Sequence, residues 1–198
     1  MRQSYCPIPL SPPERPFRPD DADACARLND IAGAGIALYA WKTNAPDGMD
    51  PWAFGRRRQI DRMESGQMMV VTDTGAGAEA MLVGNTLGPG PEDPESVPVI
   101  FRPLVELENL VLDSWYLNII ATLPQARGKG HGTRLLALAE DIARAEGRSR
   151  ISLIVSDANS LALPLYVKSG YSEQARRPMA KGDWAGPGEN WLLLVKSV

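Results

Sequence analysis

A chain of 198 residues, 44% apolar and 23% charged, is long enough to bury a full core without staples, and its composition excludes disorder throughout. Its 21 basic and 24 acidic side chains leave a net charge of −3, which gives no general attraction to nucleic acid or anionic membrane and points to a small partner. Two distant cysteines, Cys6 and Cys25, and a single histidine, His131, exclude a disulfide framework and a His/Cys cluster for zinc.

The first sixteen residues carry Pro7, Pro9, Pro12, Pro13 and Pro16, which deny helix and central strand alike. They read as an extended arm ahead of one domain over 17–198. Phe17-Arg18-Pro19 reads as a short strand ending at its proline. Asp20, Asp21 and Asp23 then favour a helix start, and that helix runs over about 22–39. Gly33 and Gly35 are its weak point, each costing ~1 kcal/mol relative to alanine. Asp50 as cap and Pro51 at the first position open a second helix that reaches Glu64.

Residues 68–73 and 80–85 are two strands, joined through Gly75-Ala76-Gly77 as a hairpin. The segment 86–98 is a loop rich in glycine and proline, long enough to cover a site. Residues 104–112 fit a strand and a short helix alike. Residues 115–123 form a strongly apolar run, the mark of a buried strand. Pro124 ends it, a glycine-rich turn follows, and 133–146 is a helix with Leu135, Leu138, Ala139 and Ile142 as its apolar stripe. Gly147 suits a left-handed cap, 151–155 is the next strand, 161–169 a short helix, and 191–195 a last strand. Strand, turn, helix and strand make a crossover, which requires a parallel pair; the hairpin makes the sheet mixed.

The turn Arg127-Gly128-Lys129-Gly130-His131-Gly132-Thr133 carries the chemistry. Its glycines allow close backbone approach, the helix start offers unpaired N–H groups and roughly half a positive charge, and Arg127 and Lys129 add cations. A pyrophosphate is the natural occupant. No Gly-Lys-Ser or Gly-Lys-Thr completes a Walker loop. The glycines run G-x-G-x-G rather than G-x-G-x-x-G, although Asp157 after the next strand keeps a dinucleotide reading open.

Here the chain resembles the GNAT N-acetyltransferases. Their pattern [Q/R]-x-x-G-x-[G/A] is matched by Arg127, Gly130 and Gly132, with Pro124 three residues ahead. Their N-x-x-A-x-x-L-Y-x-x-x-G-[F/Y] is matched by Asn159, Ala162, Leu165, Tyr166, Gly170 and Tyr171. The resemblance spans about 17–198 and is strongest over 115–172. Thr122 stands where the family favours a β-branched apolar residue. Pro164 falls inside the expected last helix and must occupy its first turn or kink it.

The resemblance implies an α/β fold with a twisted mixed sheet of six or seven strands, about four helices, and acetyl-CoA between the central parallel strands. It implies an acyltransferase moving an acetyl group from acetyl-CoA to the amine of a small acceptor by direct attack, without a metal. Arg127, Gly128, Lys129, Gly130, His131, Gly132 and Thr133 would hold the diphosphate, and the backbone of Ala121, Thr122 and Leu123 the pantetheine arm. Asn159 would touch the coenzyme or cap the next helix. Tyr166 would act as general acid toward the leaving thiolate.

A base must also deprotonate the amine, whose ordinary pKa is ~10.4. Glu106 and Glu108 are the candidates, sharing one face if extended. Asp113 reads as a turn residue, and His131, inside the turn, as solvent-exposed. Arg56-Arg57-Arg58 reads as a solvated helix face, and Tyr39, Trp41, Trp52 and Phe54 as core packing near an acceptor pocket; Trp184 would reach the same cleft. The rival functions are a CoA-binding sensor without catalysis and a nucleotide-dependent oxidoreductase. No run reaches the ~18–20 apolar residues of a membrane span. The expectation is a cytoplasmic monomer or homodimer without membrane or nucleic-acid partner.

Overall fold

The structure, a computed structural model, describes residues 4–198; the first three residues of the expected arm lie outside it. Seven strands form one mixed sheet in the order β1-β2-β3-β4-β5-β7-β6. They are β1 (Glu14–Pro16), β2 (Met68–Asp73), β3 (Ala78–Thr86), β4 (Trp115–Thr122), β5 (Arg150–Ser156), β6 (Ser172–Pro178) and β7 (Asn190–Ser197). The β4–β5 pair is parallel, with Trp115 opposite Ile151 and Leu117 opposite Leu153. The β1–β2, β2–β3, β5–β7 and β6–β7 pairs are antiparallel. The α-helices are α1 (Ala22–Ala32), α2 (Ile36–Asn44), α3 (Pro51–Glu64), α4 (Arg102–Glu108), α5 (His131–Ala145) and α6 (Leu163–Lys168).

One compact unit comprises the chain up to Gly84 together with Ile119–Ile142. Its core gathers Phe17, Leu28, Met69, Val71, Met81, Val83 and Ile119, each side chain contributing about 1.5–3 kcal/mol by leaving water. The first expected helix is two helices. Ala34 and Gly35 adopt φ of 51° and 88°, and the Asp30 carboxylate accepts the Leu38 amide at 2.8 Å to start α2. Helix α3 begins as its sequence dictates: Pro51 occupies the first turn and Asp50 Oδ1 accepts the Ala53 amide at 2.9 Å. The Asp73 carboxylate accepts the amides of Gly75 and Gly77, which closes the β2–β3 hairpin.

The first strand lies three residues before the expected one. Pro19 opens a 3-10 turn whose Asp21 carboxylate accepts the Arg18 amide at 2.8 Å, so the extended pairing ends earlier, with the Phe17 amide still bonded to Met69 O. The arm is anchored: Arg15 donates to both carboxylate oxygens of Asp21 and to Asp73, and Ser4 Oγ donates to Gln67 O.

The second unit comprises Asn85–Asn118 and Ala143–Val198. Of residues 104–112, ambiguous in the sequence, 104–108 are helical and belong to α4, with Pro103 in the first turn and Val105 and Leu107 buried. Pro164 likewise sits in the first turn of α6, so that helix is short but unkinked. Gly147, at φ 69°, terminates α5. Among the described residues, no helix is long and apolar enough to cross a membrane.

Candidate active site

Strand β4 runs into a 3-10 turn at Pro124–Ala126, then Arg127 in extended conformation, then Gly128 and Gly130 at φ of 77° and 80°. These left-handed positions favour glycine, and a Cβ built at either meets nothing within 4 Å. The side of the turn where side chains would project is therefore open. The first backbone bond of α5 runs from the Arg134 amide to Gly130 O at 3.1 Å. Among the described residues, the amides of Gly128, Lys129, Gly130, His131, Gly132 and Thr133 have no partner. Six consecutive donors beside a fifteen-residue helix dipole make an anion cradle that fits a diphosphate.

Two expectations about this turn are corrected. Helix α5 starts at His131, so His131, Gly132 and Thr133 are its first residues rather than part of the preceding turn. The imidazole of His131 is buried, not solvent-exposed, because the helical first turn points it inward. Its Nδ1 faces Arg134 Nη2 at 2.8 Å, and its Nε2 has no partner. Lys129 is tethered to Glu79 at 3.4 Å.

Of the three backbone positions expected along the pantetheine arm, Leu123 donates its amide to Glu79 O at 2.9 Å, toward β3. Successive residues of a strand present their amides to alternate edges, so Ala121 shares that edge while Thr122 and Ile120 face the other. Ile120, which the sequence reading did not single out, lies on the same edge as Thr122.

Tyr166 is buried on α6, its ring 5.9 Å from that of Tyr171. Burial pushes the phenol well above its ordinary pKa, which holds the proton on the oxygen. Among the described residues no group bonds its hydroxyl. Asn159 Oδ1 accepts the Ala162 amide at 3.0 Å, which closes the turn leading into α6, and its side-chain NH2 remains unengaged. Asp157 accepts from the amides of Glu189 and Asn190 and from Asn190 Nδ2, at 2.9, 3.0 and 2.9 Å. Those bonds occupy the acid that a dinucleotide ribose would need, so the oxidoreductase reading loses its recognition residue.

The two candidate bases do not share a face. In a helix, residues two apart lie about 200° around the axis. Glu106 points to Arg177, with Oε2 accepting from Nε at 2.8 Å. Glu108 is mostly buried, and its carboxyl is pushed up to about 7: desolvation raises it, the Tyr116 hydroxyl bond opposes, and Glu92 raises it further. Glu92 is pinned nearby, its amide donating to Asn109 Oδ1 at 2.9 Å and its carbonyl accepting from Asn109 Nδ2 at 2.7 Å. The glycine-proline loop is thus fixed against the end of α4. Asp113 sits in a turn at φ 63°.

The remaining candidates are structural. Arg56 pairs with Asp23, and Arg57 with Asp61 and Glu64, on an exposed helix face. Trp41 packs against Gly55, where a Cβ would lie 2.5 Å from its ring, and edge-on to Trp52 at 5.7 Å. Trp184 is buried in a parallel stack with Trp191 at 5.9 Å. Among the described residues no cluster of His, Cys, Asp or Glu is placed to hold a metal.

Residues 102–171 match the family model for the acetyltransferase (GNAT) family. No curated protein matches the chain significantly. The ribosomal-protein-alanine N-acetyltransferase of Brucella melitensis is similar in structure, with TM-score 0.63 at 17% identity over 93% of this chain and 99% of that one. Mosquito arylalkylamine N-acetyltransferase like 5b gives 0.62 at 18% identity over 93% and 99%. Salmonella typhimurium yncA, solved with its cofactor acetyl-CoA, gives 0.59 at 16% over 93% and 92%. Likeness at these identities establishes the fold.

Proposed function

We propose that this chain, which carries an acetyltransferase (GNAT) family domain over residues 102–171, is a cytoplasmic acyltransferase that moves an acetyl group from acetyl-CoA to a small-molecule amine. The observation that carries this reading is the run of six unpaired amides from Gly128 to Thr133 at the start of α5. In that reading the diphosphate accepts these N–H bonds, with Arg127 and Lys129 adding charge, and the peptide edge of Ile120 and Thr122 pairs with the pantetheine arm.

Acetyl-CoA supplies the thioester. The amine nitrogen forms the new C–N bond as the C–S bond breaks. Glu108, with its carboxyl near pH 7, takes the proton the amine must lose, because a base works best when its pKa lies near the working pH. The ion pair of Glu106 with Arg177 favours Glu108 for the role. Tyr166 donates its proton, or a hydrogen bond, to the departing thiolate. The phenol holds its proton more tightly than a thiol of pKa ~8.5, so donation accompanies bond cleavage rather than preceding it. An unengaged phenol favours catalysis over a pure CoA sensor.

The test is calorimetry of CoA with the full chain, followed by thioester cleavage in the presence of a panel of small amines. Binding with amine-dependent release of thiol supports the assignment. Binding without release under any amine leaves the sensor, and no binding removes both.

A further inference from the structure

The cradle is built from glycine-rich backbone, and such a segment is costly to order unless neighbouring side chains hold it before the ligand arrives. Gly128, Gly130 and Gly132 have no side chains to anchor them. Two residues between them do: Lys129, tethered to Glu79, and His131, buried against Arg134. Arg134 Nε in turn donates to Glu14 Oε1 at 3.2 Å, and the same oxygen accepts from the buried Thr72 hydroxyl at 3.4 Å. Glu14 opens β1, so the first strand of the sheet ends in a carboxylate wired to the cofactor turn.

A guanidinium has only donors. Its 2.8 Å contact therefore makes His131 Nδ1 the acceptor and places the imidazole proton on Nε2. The Glu14 carboxylate fixes the guanidinium, the guanidinium fixes the tautomer and tilt of the imidazole, and the imidazole fixes the backbone at the start of α5.

We infer that the side chains of Glu14, Arg134 and His131 are a chain of positioning groups through which the N-terminal strand preorganises the anion cradle and so sets CoA affinity without themselves touching the ligand. This rests on the CoA reading of the cradle. Preorganisation lowers the ordering cost of binding and leaves the chemical step alone, so its loss is felt in Kd and KM rather than in kcat.

The experiment is calorimetry of CoA with full-length wild type, Glu14→Ala, Glu14→Gln, His131→Leu and His131→Asn, each checked by its melting temperature. The asparagine amide places an acceptor near the position of Nδ1, whereas leucine offers none. Glu14→Ala and His131→Leu should weaken CoA binding about tenfold, Glu14→Gln about threefold, and His131→Asn by no more than about twofold. At saturating acetyl-CoA, kcat of the two Glu14 variants should be unchanged. Wild-type affinity in folded Glu14→Ala, or in folded Glu14→Gln where the alanine variant does not fold, overturns the inference. Loss in His131→Asn as deep as in His131→Leu does so as well. Absence of CoA binding by the wild type overturns the cradle itself, which separates the two failures.

Discussion

The amide of Leu123 donates to the carbonyl of Glu79 at 2.9 Å, and this one bond assigns the two edges of β4. The edge that carries Leu123 belongs to β3. The alternate edge, with Thr122 and Ile120, is the one on which an extended ligand can add as a strand.

The edge assignment yields the first prediction. Leu123→Pro removes a ladder bond and should lower the melting temperature by several degrees, about what ~1 kcal/mol produces in a domain of this size. Thr122→Pro removes the amide on the opposite edge and should cost CoA affinity out of proportion to stability. Calorimetry beside a thermal melt distinguishes them; equal loss of affinity in the two variants would contradict the edge assignment.

Tyr166→Phe deletes only the phenolic oxygen from a buried ring. Turnover on an accepted amine should fall about 10²-fold while the Kd for CoA stays within about twofold. Steady-state kinetics with calorimetry checks it, and an undiminished kcat would remove Tyr166 from the mechanism.

Glu108 predicts a pH profile. The basic form is the carboxylate, so kcat/KM should rise with pH and level off above about 7, and Glu108→Gln should abolish that limb. The stability effect has the opposite sense. A carboxyl that ionises at about 7 when folded and at 4.5 when unfolded binds its proton more tightly in the folded state. Its contribution to stability therefore falls as pH rises from 4.5 to 7. Glu108→Gln should flatten the melting temperature across that window, measured by calorimetry at several pH values.

Asp157 and Gly188 meet where the β6–β7 connection returns to the sheet. Asp157 accepts three N–H bonds, and a Cβ at Gly188, already at φ 92°, would lie 2.4 Å from Ser156 Oγ and 2.5 Å from Asp157 Oδ1. Asp157→Ala should cost about 1 kcal/mol and loosen the segment around Trp184. Gly188→Ala should be worse, since it adds strain and collision together. Hydrogen exchange of residues 179–189 reads both; protection equal to wild type in Gly188→Ala would contradict the packing.

Legibility in the sequence followed the reach of each signal. Asp50 and Pro51 mark the start of α3 because cap and first-turn proline act within three residues of each other, and the cradle is readable because its glycines and cations are contiguous. Residues 104–108 were not, because Leu104, Val105, Glu106, Leu107 and Glu108 alternate partly like a strand. Pro103 in the first turn and the burial of Val105 and Leu107 settle them as helix. Separating Glu106 from Glu108 needed Arg177, seventy-one positions away. The burial of His131 needed the helix to begin at that residue and Arg134 to be its neighbour one turn on. No composition rule contains either fact.

The open cradle also affects how this protein should be handled at the bench. Unclaimed donors at the head of α5 do not distinguish one oxyanion from another, and sulfate or inorganic phosphate presents the same tetrahedral oxygens as half a diphosphate. Such buffers would compete for the loop. Apparent affinities would weaken as their concentration rises, while a zwitterionic sulfonate buffer at equal ionic strength would leave them closer to the intrinsic value.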